Sequence, residues 1–246
     1  MGHPELIAWI QSHPSDFSAE QSKNIKILKK GRNIVFKKSQ VHIAGFADIV
    51  IKKNKSHTLI KLLLSPFQQS KAARSFFAAC HLIHHNLDTP TPLGFMEKRW
   101  LGFIRESYYF TECVAPRIKM KTYLRKTEDS EEDILKRIQA VANYSKSMHR
   151  SGIIHCDMNL ANFLISETKS KERLLLIDLN RSKIYRRLTP FVRIKDISRL
   201  YLKKYRPLFF KLYCADDKKF LKWEWYFNTY YVWRKKRGKF KRWIRF

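Results

Sequence analysis

Glycine is scarce in this chain, with seven among 246 residues, and no G-x-G-x-x-G occurs anywhere. That excludes the usual glycine-rich cradle for phosphates. The four cysteines (Cys80, Cys113, Cys156 and Cys214) form no C-x-x-C pair. Neither a disulfide framework nor a zinc site is therefore expected, and a reducing cytosol is the default. No apolar run approaches the ~18 residues of a membrane span. The opening "MGHPELIAWIQSHPSDF" has no basic segment leading into a long apolar one, so it does not read as a signal peptide. Leu6 fails the Ser/Thr requirement of a myristoylation signal despite Gly2.

Acidic residues are few as well: 21 Asp and Glu stand against 50 Lys and Arg, a formal net charge of +29. Such a surface attracts a polyanion, whether nucleic acid, an anionic leaflet or a phosphorylated substrate. Hydrophobic residues make up 44% and aromatics 14%, so a chain of this length can bury a real core, as one large domain or two small ones.

The N-terminal part reads as sheet. "RNIVFKKS", "ADIVIKKN" and "HTLIKLLL" are short runs rich in branched residues, separated by polar breaks, and they predict three strands. "SKAARSFFAACHLIHHNL" predicts a helix, with Ala72, Phe76, Ala79, Ile83 and Leu87 near 3.6-residue spacing. The prolines of "DTPTPLGFM" end it, and "RESYYFTECV" predicts another strand. "SEEDILKRIQAVANYSKSMHRSG" predicts a long amphipathic helix, with Ser130 as N-cap, Asp133 or Glu132 completing a capping box, and Gly152 as its stop. A boundary is expected near residues 115 to 120. It divides an N-terminal, β-rich domain (residues 1–115) from a mainly helical one (residues 116–246).

The chemistry sits in "SGIIHCDMNLANFLIS" and "LLLIDLN". Asp157 and Asn162 are five apart, and Asp178 ends a later apolar run. A phosphotransferase needs this set. One carboxylate orients the acceptor hydroxyl and takes its proton, while an amide and a second carboxylate hold the magnesium that bridges ATP's phosphates. H-x-D-x-x-x-x-N is moderately specific by itself and becomes strong with the strand-borne Asp downstream.

Taken with "TPTPLGF" and "RESYYFTE", "GIIHCDMNLANFLI…LLLIDLNRSKI" resembles the lipopolysaccharide kinase family, the Kdo and heptose kinases within the protein-kinase-like superfamily. The likeness covers roughly residues 30 to 205. It implies an α+β, two-lobed protein-kinase-like fold, with ATP and Mg2+ as cofactors. It also implies phosphorylation of a sugar hydroxyl on the inner-core glycolipid, at the cytoplasmic face of the inner membrane. By position, Asp157 would be the catalytic base, His155 the residue that holds the loop, and Asn162 and Asp178 the metal ligands. Lys61 in "TLIKLLL" would contact the α- and β-phosphates. Glu112 and Val114 in "TECV" would lie at the adenine-binding hinge, and Gly45 is the glycine available to a phosphate-covering loop. Lys52 and Lys53 compete with Lys61, whose apolar neighbours favour burial.

The chain departs from the protein-kinase pattern in three places. No acid lies between Ser65 and Leu87 to pair with the lysine, "DLN" replaces D-F-G, and no A-P-E follows. A small or lipid-linked acceptor fits this pattern better than a peptide. The C-terminal "KFLKWEWYFNTYYVWRKKRGKFKRWIRF" holds four of the six tryptophans, and its last thirteen residues carry eight Lys or Arg. It reads either as a packed helix with Phe220, Trp223, Phe227 and Tyr230 on one face, or as an anchor on anionic lipid. Two other functions compete with the kinase reading. One is a nucleic-acid-binding pseudokinase. The other is an aminoglycoside-type phosphotransferase, which the positive charge disfavours.

Overall fold

The computed structural model describes residues 2–12, 24–31, 33–55, 68–114, 118–124, 130–168 and 171–243. The chain divides into two compact units, residues 1–116 with 177–181, and residues 117–176 with 182–246.

The first unit is built on an antiparallel five-stranded sheet. Its strands are β1 (Ile25–Lys29), β2 (Asn33–Lys38), β3 (Ile49–Lys55), β4 (Pro92–Trp100) and β5 (Phe103–Glu112), in the order β1-β2-β3-β5-β4. Alternation along β3 sends Ile49 and Ile51 to one face. There Ile51 lies between its register partners Phe36 and Phe110, and all three are fully buried. Helix α1 (Pro4–Ser12) closes this core with Leu6. Burying a leucine of this kind is worth about 1.5–3 kcal/mol. Gly2 pairs with Gly94, and an added Cβ there would meet Leu93 O at 2.8 Å.

Helix α2 (Lys71–His84) packs on β3, β4 and β5 and against the turn at Leu179–Arg181. Ser70 caps it, accepting the Ala73 N–H at 2.9 Å. Its buried stripe is Ala72, Ala73, Ala78, Ala79 and Leu82, while Ile83 is 43% exposed. The spacing reading thus chose the wrong neighbour at the C-terminal end of the stripe. "PLGFM", expected only to end the helix, is the start of β4. Pro92 is tolerated there because it is the first residue of the strand.

The strand expected at "HTLIKLLL", with Lys61, lies outside the described residues. The expected run "ADIVIKKN" forms β3, which pairs with β2 on one edge and with β5 on the other. An unpredicted strand, β1, precedes the first expected one, and Gly45 lies in the β2–β3 connection, between the runs "RNIVFKKS" and "ADIVIKKN" where it was expected. It occupies a tight turn in which Ile43 and Phe46 exchange backbone hydrogen bonds of 2.9 and 3.0 Å. The N–H of neighbouring Ala44 is bound by Glu5 of α1.

The second unit opens with a short strand, β6 (Ile118–Lys119), and one turn of helix, α3 (Met120–Tyr123). It is centred on helix α4 (Glu131–Arg150). Ser130 caps α4 as expected, accepting from the N–H of Asp133 at 3.1 Å. Strand β7 (Ile153–Ile154) pairs with β10 (Lys183–Ile184), and β8 (Phe163–Thr168) pairs with both β9 (Lys171–Leu176) and β6. Helices α5 (Pro190–Ile197), α6 (Arg206–Tyr213) and α7 (Glu224–Trp243) follow. Phe210 stacks on Phe227 of α7 at 4.8 Å between ring centres. Phe220, Phe227 and Tyr231 are buried, whereas Trp223 and Tyr230 are half-buried.

Gly152 does more than stop α4. Its φ is +80°, and a Cβ there would lie 2.1 Å from Tyr185 O. The N–H of Tyr185 in turn donates to Gly152 O at 2.8 Å, so the β7–β10 pairing begins at this close approach. Gly152→Ala is expected to destabilise the protein by at least about 1–2 kcal/mol, read as a lower urea midpoint with an unchanged slope.

Candidate active site

In the first unit, Asp178 follows β9 with φ +66°. Its carboxylate forms an ion pair with Lys52 Nζ. Strand alternation decides which lysine reaches it. Lys53 points to the opposite face, pairing with Glu106 at 2.9 Å and lying 5.3 Å from the centre of the Tyr108 ring. Of the lysines that compete for the phosphate-contacting place, Lys52 is the one paired with Asp178, while Lys61 lies outside the described residues. Helix α2 carries no acid, and the lysine is held by Asp178 itself. The replacement for D-F-G turns inward, since Asn180 is buried in the 3-10 turn at Leu179–Arg181. Glu112 ends β5, and its N–H donates to Thr91 O at 3.0 Å. Cys113 and Val114 follow it, half-buried.

In the second unit, the loop after β7 is organised by a residue that sequence reading missed. Asp196, on α5 and only 2% exposed, accepts the N–H of His155 at 2.7 Å on one oxygen and that of Cys156 at 2.8 Å on the other. Two converging backbone donors of this kind allow Cys156 to sit at φ +60°. His155 is fully buried, and its Nδ1 accepts the Asp157 N–H at 3.3 Å. Asn162 donates from Nδ2 to Asp157 O at 3.0 Å. Its amide nitrogen is thereby used, and its side-chain oxygen is the acceptor it has left. Arg199 Nη1 donates to Cys156 O at 2.6 Å, which fixes the loop from its other side. A signal for Asp196 does exist in "RIKDIS": a carboxylate set between two isoleucines on an apolar helix face must find donors when buried.

Behind this carboxylate lies a buried relay. His149 Nε2 is 3.3 Å from Asp196, and its Nδ1 is 2.6 Å from the Tyr213 hydroxyl. That hydroxyl also receives Arg193 Nε at 2.7 Å. Burial would raise the pKa of Asp196, but His149 and the His155 N–H outweigh it and hold the carboxyl below its ordinary value. Burial likewise depresses the pKa of His149, against the pull of Asp196. At neutral pH the pair is thus a carboxylate beside a neutral imidazole, with Nε2–H facing Asp196. No group of three or more His, Cys, Asp or Glu among the described residues is placed to hold a metal ion.

The sequence profile described as the lipopolysaccharide kinase (Kdo/WaaP) family matches residues 15–223. The chain belongs to that family. Among its relatives is the lipopolysaccharide core heptose(I) kinase WaaP of Escherichia coli strain K12, 32% identical over 137 residues, or 53% of this chain and 52% of the relative. A second Escherichia coli protein of that name is 30% identical over 151 residues, 58% of this chain and 57% of the relative. The chain thus spans about half the length of the curated relatives it matches. A solved structure of WaaP in complex with acyl carrier protein aligns with a TM-score of 0.63 at 18% identity, covering 94% of this chain and 97% of that one. At this identity the likeness speaks for the fold, which is α+β and protein-kinase-like.

The His149–Asp196 pair makes a prediction about acid stability. Below the ordinary histidine pKa of 6.5, the unfolded chain takes up a proton that buried His149 refuses, so stability falls as pH drops. It falls again through the carboxylate range, as Asp196 is forced to protonate. His149→Gln should flatten the first decline and leave the second, measured as urea midpoints between about pH 8 and 4.

Proposed function

We propose that this protein is an ATP-dependent kinase that phosphorylates a sugar hydroxyl, of Kdo or heptose, in the lipopolysaccharide inner core. The observation that carries the reading is the state of the loop from His155 to Asn162. Asp196 and Arg199 hold its backbone, and Asn162 is tethered to the carbonyl of Asp157. A base that must meet an acceptor hydroxyl within hydrogen-bond reach needs such a preorganised support.

In this reading Asp157 orients the acceptor hydroxyl and takes its proton during in-line transfer. Lys52, not Lys61, contacts the α- and β-phosphates, while Glu112 and Val114 flank the adenine through backbone groups. His155 supports the loop from within. Residues 1–115 bind ATP, and residues 116–246 carry the catalytic loop and the basic aromatic tail. Asn162 and Asp178 offer only oxygen atoms for a metal, the donor type magnesium prefers, so they fit it. Magnesium, when bound, neutralises charge on the phosphates.

The charge of +29 supports work at the cytoplasmic face of the inner membrane, where both lipid and glycolipid are anionic. Trp225 and Trp233 of α7 are 66% and 48% exposed, well suited to headgroup depth. No helix among the described residues is long and apolar enough to cross a membrane, so contact with lipid would be peripheral.

The test is phosphate transfer from labelled ATP to dephosphorylated lipid A–Kdo and lipid A–Kdo–heptose. Wild type should label one of them. Asp157→Asn should lose about 10²–10⁴-fold in rate, and Lys52→Ala should raise the KM for ATP. If wild type labels neither acceptor and binds no magnesium-ATP, the reading fails. Tight, salt-dependent RNA binding that survives Asp157→Asn would then point to a nucleic-acid function.

A further inference from the structure

The hairpin that joins β4 to β5 ends in residues that the sheet does not require. The register between β3 and β5 runs out to Lys55–Glu106, and the hairpin continues past it through Arg99–Ile104 and Trp100–Phe103. Leu101 and Gly102 make the two-residue turn, with φ of +48° and +82°. Both positions are left-handed, a geometry that asparagine, aspartate or glycine ordinarily supplies. Leucine at the first is strained in its backbone and gains little from packing, because it is 75% exposed. Beside it Trp100 is 56% exposed and Phe103 half-buried. The turn is nonetheless held firmly. Arg99 donates from Nη1 to Gly102 O at 3.0 Å and from Nη2 to Glu97 at 2.7 Å. The tip is therefore a fixed loop that presents apolar side chains to water.

Cations collect around it. A register shift between Lys98 and Arg99 skips Arg105, and such a bulge re-aims a side chain. The Arg105 guanidinium lies 4.6 Å from the centre of the Trp100 ring. In the rungs from Lys53 outward the carboxylates are Glu97 and Glu106. Glu97 is taken by Arg99. Glu106 is taken by Lys53 at 2.9 Å, with Lys98 opposite it in register. Lys55 and Arg105, both exposed, are in excess of these groups.

We infer that this tip is a lipid-contacting finger, which seats Trp100 and Leu101 at the headgroup boundary of an anionic bilayer while Lys55, Lys98 and Arg105 meet its charged lipids. Aromatic rings settle at that depth, leucine gains by leaving water, and each nearby cation adds attraction to the leaflet. Other partners fit less well. A stable protein interface engages roughly 20–30 residues a side, whereas three apolar side chains make up this tip. A stacked nucleobase would compete with Arg105 for the Trp100 ring. The finger belongs to the first unit, whereas α7 belongs to the second. It rests on the reading that the protein works at an anionic membrane, and not on phosphate transfer.

The experiment is co-sedimentation of the full chain with vesicles, without ATP or acceptor. Wild type should partition onto phosphatidylglycerol–phosphatidylethanolamine vesicles and far less onto phosphatidylcholine. Leu101→Asn brings a residue suited to the left-handed turn. Its urea midpoint should equal or exceed that of wild type while its partition coefficient falls. Trp100→Ser/Leu101→Asn should lose about tenfold in that coefficient. The same loss should appear in a Trp225→Ala/Trp233→Ala background, which removes the α7 contact. With lipids brominated along their acyl chains, Trp100→Phe should lower the quenched fraction of the tryptophan fluorescence. A partition coefficient unchanged by Trp100→Ser/Leu101→Asn, quenching unchanged by Trp100→Phe, or wild type that stays off anionic vesicles overturns the finger. Failed phosphate transfer with vesicle binding intact overturns the kinase reading alone. Failed vesicle binding with transfer intact overturns the finger alone.

Discussion

The carboxylate of Asp196 is the interaction on which the second unit depends. A buried charge is tolerated only when donors surround it, and the donors here are two consecutive backbone N–H groups and an imidazole. The same contacts that stabilise the charge fix the direction of the chain at Cys156, whose positive φ turns the next residue, Asp157, out of the core. A helix in the interior thereby sets the geometry of a loop some forty residues earlier in sequence. Tyr213 and Arg193 extend the network through His149. Losing one member leaves its partners buried without donors or acceptors, so such a network rewards completeness.

The first unit meets a comparable demand by a shorter route. A half-buried lysine needs a counter-charge, and α2, lined with alanines, has none to give. Lys52 takes Asp178 instead, from the five-residue segment that joins this unit after β9. One ion pair thus both neutralises the lysine and secures that segment to the sheet. Lys53, one position on, is served by Glu106 on the opposite face. The pleat of the strand, with its two-residue period, keeps the two lysines from sharing one partner.

Charge and aromatic packing act together in α7. Phe227 and Tyr231 supply the apolar surface that holds the helix, and this leaves Trp225 and Trp233 outward and turns one arginine inward.

Local patterns are what the sequence determined by itself: the cap at Ser130, the stop at Gly152, and the spacing of His155, Asp157, Asn162 and Asp178. Each of these depends on residues near one another along the chain, where helix and turn chemistry operate. Family membership was legible for the same reason, because the motif is contiguous. Tertiary structure decided what depends on distant partners. Lys52 meets Asp178 and Lys53 meets Glu106 because the pleat of β3 sends them to opposite faces, and no local pattern reveals which partner each face will find. Ile83 is exposed and Leu82 buried because neighbouring elements select the face of α2. Asp196 gained its place only when α5 packed behind the loop, since a buried carboxylate acquires its role from donors that the chain brings to it.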